Sequence, residues 1–136
     1  MQHMWLRNYP PSMPAEVDVD AFESLGDVLH RSCTSFADLN AYSNMGATLT
    51  HAELDRASRD FAAFVQGPLG LKRGDRVALM MPNLLQYPVA LFGVPRASMV
   101  VVNVNPQYTV PELEHQLRDS GASAIVVLEN LAHTLQ

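Results

Sequence analysis

The residues with chemical potential are few and dispersed. His30, His51, His115 and His133 lie far apart, and none is set at ligand spacing with another histidine or with the single cysteine, Cys33. His115 neighbours Glu112 and Glu114 on a predicted helix and is read as facing solvent. Ser32-Cys33 places a hydroxyl beside a thiol, the material of a nucleophile. Yet Cys33 falls on the apolar face of a predicted helix, where a thiol is inert filler. The GxSxG hydrolase signature is absent. Arg73-Gly74-Asp75 is an adhesion tripeptide in letters, and its reading here is a β-turn.

The stretch GDRVALMMPNLLQYP, residues 74–88, carries the most structural information. Arg76 to Met81 reads as a buried strand, and Pro82-Asn83 turns the chain into an apolar helix opening at Asn83. In open α/β sheets such turns hold phosphates on free backbone N–H groups. The usual device is a glycine loop, and MMPNLL, VNPQYT and VLENLA, the three strand-to-helix turns, all lack one. No GxxxxGK[ST] occurs either, so these residues are not expected to hold a nucleotide. Asn103 and Asn105 end a strand at the sheet's carboxyl edge. They either line a pocket or close the turn by bonding to backbone, and the second reading is favoured.

The elements that would position these residues follow from periodicity and punctuation. Pro10, Pro11 and Pro14 forbid a helix in residues 1–20, which read as an extended arm. Ser24 caps a helix to about Phe36, with Leu25, Val28, Leu29, Ser32, Cys33 and Phe36 on one face. Ala41 to Met45 and Thr48 to Thr50 form a hairpin about Gly46. Thr50-His51-Ala52-Glu53 is a capping box. Its helix runs to about Gln66, burying Leu54, Ala57, Phe61, Phe64 and Val65. Strands follow at Val100 to Val104 and Ala124 to Leu128. Thr109 to Glu112 repeats the capping logic, for a helix ending near Ser120-Gly121, and a last helix begins near Asn130. VALMM, VVNV and AIVVL are continuous apolar runs, the mark of a parallel sheet covered on both faces. The fold class is therefore α/β, a largely parallel sheet flanked by helices.

Composition narrows the function classes. Of 136 residues, 48% are apolar, enough for a real core, while 17% are charged, below the usual share of about 25%. The net charge is −5, and only Lys72-Arg73 and Arg76 cluster among the basic residues. No basic stripe is present to neutralise a row of phosphates, so nucleic acid is not an expected partner. One cysteine allows neither an internal disulfide nor a zinc knuckle. That fits a reducing cytoplasm. The apolar run Leu84 to Val94 is about half a membrane span, which leaves only peripheral membrane contact open.

Four stretches carry a resemblance: GATLTHAEL (46–54), LKRGDRVALMMPNLLQYPVALFG (71–93), VVNVNPQYT (101–109) and ELEHQLRDSGA (112–122). In this order and spacing they resemble the N-terminal part of the acyl-adenylate-forming, AMP-binding enzymes, and in particular bacterial long-chain fatty-acid–CoA ligases. The Trp-bearing, proline-rich arm with its acidic EVDVD is of the same type. The resemblance implies an enzyme that activates a long-chain fatty acid with ATP, releases pyrophosphate, and passes the acyl group to the thiol of coenzyme A. Magnesium accompanies the ATP. It implies that the phosphates are held by a Ser/Thr/Gly-rich loop later in the chain, with the adenine contacts and a catalytic lysine later still.

No residue here matches those motifs, so no catalytic, cofactor-binding or metal residue is assigned. Residues 1–20 would be the arm, and 21–136 the incomplete opening of the AMP-binding domain, inactive alone. The implied setting is cytoplasmic, with peripheral contact at the inner face of the membrane left open, and a homodimer through the arm is implied by some long-chain members. The alternative is a non-catalytic α/β interaction or ligand-binding module. Departures from the pattern are His51, where the family commonly has Tyr, and Val94-Pro95-Arg96-Ala97-Ser98, which replaces a proline-free stretch ending in Gly. Pro95 requires the helix to end by Val94 or to kink. Ser98 stands where the chain must turn tightly.

Overall fold

The computed structural model describes residues 4–135. A 3₁₀ turn, Met4–Asn8, is followed by α1 (Leu25–Ser35), β1 (Asn40–Asn44), β2 (Ala47–Thr50) and α2 (His51–Gln66). Then come β3 (Arg76–Met80), α3 (Gln86–Arg96), β4 (Val100–Asn103), α4 (Val110–Ser120), β5 (Ala124–Val127) and a closing 3₁₀ stretch, Glu129–Leu135.

β3 is the centre of a parallel sheet of order β4-β3-β5, with Val77 opposite both Val101 and Ala124. Side chains alternate across a strand, so a central strand with two covered faces must be apolar throughout. Val77 and Leu79 pack with Ala62, Val65, Ala90 and Val94 of α2 and α3. Ala78 and Met80 point the other way, to Val104 and to Leu113 of α4. A third cluster, Leu29, Cys33 and Leu54, seats α1 on α2. β1 and β2 form the expected antiparallel hairpin. Its turn places Met45 at φ 49° and Gly46 at φ 81°.

The starts of α1, α2 and α4 have the capping chemistry their sequences announce. The Ser24 hydroxyl accepts from the Asp27 N–H at 3.1 Å. Thr50 and Glu53 form a reciprocal box, the Thr50 N–H donating to Glu53 Oε2 at 2.9 Å and the Glu53 N–H to Thr50 Oγ1 at 3.2 Å. Thr109 and Glu112 repeat it. Each box satisfies N–H groups that a helix leaves without partners.

Several expectations are corrected. The arm is not extended throughout: Met4–Asn8 winds a 3₁₀ turn, because the prolines that forbid a helix all follow it. Met1 to His3, the rest of the arm's start, lie outside the described residues. α3 opens at Gln86, not Asn83. The Leu84 N–H bonds to the Pro82 carbonyl at 2.8 Å and the Tyr87 N–H to the Leu84 carbonyl at 3.1 Å, so residues 82–85 form their own tight turns. The last element is a 3₁₀ stretch, with the Leu131 N–H on the Leu128 carbonyl at 2.8 Å.

The buried faces of α1 and α2 also differ from the expected stripes. Leu25, Phe36 and Phe64 are exposed, whereas Ser58 and Ala62 are buried. Ser58 is covered because Gly93 lets the α3 backbone come down on it.

α3 does not end by Val94 but continues through Pro95 to Arg96. The Gly93 and Val94 carbonyls accept from the Ala97 N–H, and the Pro95 carbonyl from the Ser98 N–H at 2.9 Å. The proline sits in a tightened final turn, where its missing N–H disturbs little of the helix. Ser98 then takes φ 60°, the left-handed conformation the tight turn requires.

A candidate functional site at the carboxyl edge of the sheet

The carboxyl ends of β3, β4 and β5 lead into the three turns that would face a ligand. Pro82 to Leu85 follows β3, Asn103 to Tyr108 follows β4, and Leu128 follows β5. Beside the first turn is a cleft of about 180 Å³ lined by Tyr42, Asn44, Asn83, Leu84, Tyr87 and Pro88, among others. The Asn44 side-chain amide donates to the Asn83 carbonyl at 2.9 Å, tying the hairpin to the edge of the sheet. On the same side as α2 and α3, an apolar groove of about 390 Å³ reaches Val126 of β5, lined also by Leu49, Phe61, Met81, Leu85 and Val89.

The two asparagines have separate jobs. Asn105 behaves as the favoured reading expects, its Oδ1 accepting the Gln107 N–H at 3.0 Å and closing its own turn. Asn103 does not. Its Oδ1 accepts from the Tyr87 hydroxyl at 2.8 Å, and its carbonyl accepts from the Gln116 amide at 2.9 Å. Asn103 thus joins α3, β4 and α4 at one end of the sheet. Residues 16 and 13 positions apart make these bonds, a distance at which no local pattern operates. The only signal available was three hydrogen-bonding side chains on successive elements near the same sheet end.

This edge is a poor cradle for magnesium-bound phosphate. The first turn of α3 has no side-chain cap. Its Tyr87 N–H is already bonded to Leu84, and Pro88 has no N–H to offer. Among the described residues, no group of three or more His, Cys, Asp or Glu is placed to hold a metal ion. The described residues of this turn therefore offer no cradle for the Mg–ATP group that the resemblance implies, and no step through it is derived from them.

The other candidates disperse in space as they do in sequence. His30 and His115 are exposed on α1 and α4. The His51 ring nitrogen Nδ1 lies 3.0 Å from the Leu39 carbonyl and the ring tilts against Phe36, so His51 serves the start of α2. His133 Nδ1 lies 3.1 Å from the Asn130 carbonyl within its own 3₁₀ stretch. Cys33 is buried, and that burial pushes its thiol up from the usual range, away from the reactive thiolate. Arg73-Gly74-Asp75 is a turn: Asp75 Oδ2 accepts the Lys72 N–H at 2.7 Å and Gly74 takes φ 87°.

A three-stranded parallel sheet, covered by helices on both faces and preceded by a capped hairpin–helix unit, places the chain in the α/β class of folds. The comparison with known proteins gives the family. Residues 29–136 match the AMP-binding enzyme family, and the chain belongs to it. It is 59% identical over all 136 residues to a long-chain-fatty-acid–CoA ligase of Escherichia coli, of which it covers 24%. It resembles the solved benzoate CoA ligase of Burkholderia xenovorans with a TM-score of 0.76 and 27% identity, over 81% of this chain and 22% of that one. A fatty acyl CoA synthetase of Mycobacterium tuberculosis superposes with a TM-score of 0.72 at 29% identity, over 81% and 22% of the two chains. The chain thus spans about a quarter of the length of the curated ligases it matches.

Proposed function

We propose that these residues serve a long-chain fatty-acid–CoA ligase as the opening part of its AMP-binding domain. In this reading residues 1–20 are an arm, and 21–136 supply the sheet and covering helices on which the remainder of the active site is built. The observation that carries it is the 59% identity to the Escherichia coli ligase along the whole chain. The activity would be acyl-adenylate formation from a long-chain fatty acid and ATP, followed by transfer to coenzyme A. In this reading ATP, Mg²⁺ and coenzyme A are handled by residues outside this chain, as the resemblance implies. Its own contribution is mechanical. The Tyr87–Asn103–Gln116 bonds hold three elements in register at the end of the sheet where ligands bind in such folds.

The arm supports two further readings of the same protein. Its exposed Met4, Met13, Val17 and Val19 suit a homodimer contact or peripheral membrane contact. Among the described residues no helix is long and apolar enough to cross a membrane.

The test is isotope exchange between pyrophosphate and ATP, run on the product of the complete reading frame and on the 136-residue chain. Exchange dependent on a long-chain fatty acid, present in the first and absent in the second, supports the proposal. No exchange in the full product, with ATP binding by the short chain in titration, would support a ligand-binding module instead.

A further inference from the structure

A charged node holds residues 21–23, where the arm meets the body. Arg31 on α1 grips Asp27 with two nitrogens, Nε at 2.9 Å and Nη2 at 2.8 Å. Its remaining nitrogen, Nη1, donates to the Ala21 carbonyl at 3.1 Å, and its guanidinium lies 5.3 Å from the Phe22 ring centroid. Asp27 completes the node by accepting the Glu23 N–H at 3.3 Å. Residues 21–23 are thereby held at three successive positions: a carbonyl, a ring and an N–H. Immediately before them the character of the chain changes. Residues 7–20 are all exposed, and the backbone bonds there are local, such as Met13 N–H to the Pro10 carbonyl and Ala21 N–H to the Asp18 carbonyl.

We propose that the Asp27–Arg31 pair is a latch that fixes the direction in which the arm leaves the body. The latch follows from these contacts alone and does not depend on what the arm meets. The planar guanidinium is suited to the task, because one fork binds the carboxylate while the third nitrogen and the π face remain for Ala21 and Phe22 at the root of the arm. The Ser24 cap on α1 is a separate bond, so opening the latch leaves the helix start intact. An exposed pair is weakened by salt, which makes this latch ionic-strength dependent.

A glutamate-specific protease reads the latch directly, since Glu16 lies outside it, Glu23 within it, and Glu53 in the body. Initial cleavage rates at the three sites are compared in the wild-type chain, in Arg31→Met and in Arg31→Lys. The latch predicts about a fivefold rise after Glu23 in Arg31→Met, with Glu16 and Glu53 unchanged. Lysine keeps the charge but cannot grip both sides at once, so Arg31→Lys falls between. Should Arg31→Met fail to fold, the wild-type chain in 0.5 M sodium chloride must show the same selective rise. Equal rates after Glu23 in all forms would overturn the latch, as would a rise of the same size at Glu53.

Discussion

Gly93 of α3 rides on the backbone of Ser58 in α2: a Cβ at Gly93 would stand 3.0 Å from the Ser58 carbonyl oxygen and 2.6 Å from Cδ1 of Phe61. The contact explains why a serine is fully buried in a helix otherwise lined with apolar residues. Ser58 is small, and its hydroxyl is satisfied by the Asp55 carbonyl at 3.0 Å. Gly93→Ala should therefore push the helices apart and lower stability by about 1–3 kcal/mol. Urea denaturation measures this; a midpoint equal to wild type would mean the two helices do not rely on the close approach.

The turn between α3 and β4 gives the opposite sign. Ser98 at φ 60° pays a steric cost of about 1–2 kcal/mol that glycine avoids. Glycine gives part of that back through the greater freedom of its unfolded chain, about 0.4–1 kcal/mol. Ser98→Gly is expected to raise the thermal midpoint by a few degrees. The Ser98 carbonyl still accepts the Gly74 N–H at 2.9 Å in the variant, so the turn itself is preserved.

These two sites mark what could be read without coordinates. Continuous apolar runs gave away the parallel sheet, and Thr-x-x-Glu spacing gave away the starts of α2 and α4, because both signals are local. The departure from the family's pattern, where glycine usually stands, also pointed to Ser98 as the residue of a tight turn. What escaped was set by contacts between distant segments. Phe64 shares its helical spacing with the core yet faces solvent, while Ser58 is buried because a glycine 35 residues away approaches it. The Tyr87–Asn103 bond escaped for the same reason. Asn105, which bonds within its own turn, did not.

Asp55 of α2 holds two arginines, Arg59 at 2.8 Å and Arg96 across the helix pair. The Arg96 side chain is only 16% exposed, and its Nε has no partner. Removing the carboxylate strands a largely desolvated guanidinium, whereas replacing the arginine with an apolar side chain removes the charge that needs a partner. Asp55→Ala should therefore cost more than Arg96→Met, by about 1 kcal/mol or more. Equal losses in denaturant titration would show that solvent still reaches the pair.

Acid should weaken the fold through its caps. The bonds from Thr50 hold the Glu53 carboxyl below its ordinary value of 4.5, and those from Thr109 do the same for Glu112. Arg31 chiefly holds Asp27 below 3.8. A lowered folded value means the unfolded chain takes up the proton first. The stabilisation is thus complete above the ordinary carboxylate range and is lost as the pH falls through and below it. Thermal midpoints should be flat near neutrality and fall below about pH 4.5. Glu53→Gln should flatten part of that fall, and an unchanged slope would remove Glu53 from the account.

β5 presents the final test. Its sequence, AIVV, has no charge or proline, all four residues are half-buried, and among the described residues its only ladder is with β3. An unprotected apolar edge beside an apolar groove invites pairing with another chain. The 136-residue chain should accordingly self-associate, with sizing profiles that shift to larger species as concentration rises. A lysine at Val126 places a charge in the groove and on the edge together, so Val126→Lys should move the population toward monomer, while Val110→Lys on the first turn of α4 should not. A sharp monomer peak for the wild-type chain at high concentration would show that the edge is already guarded.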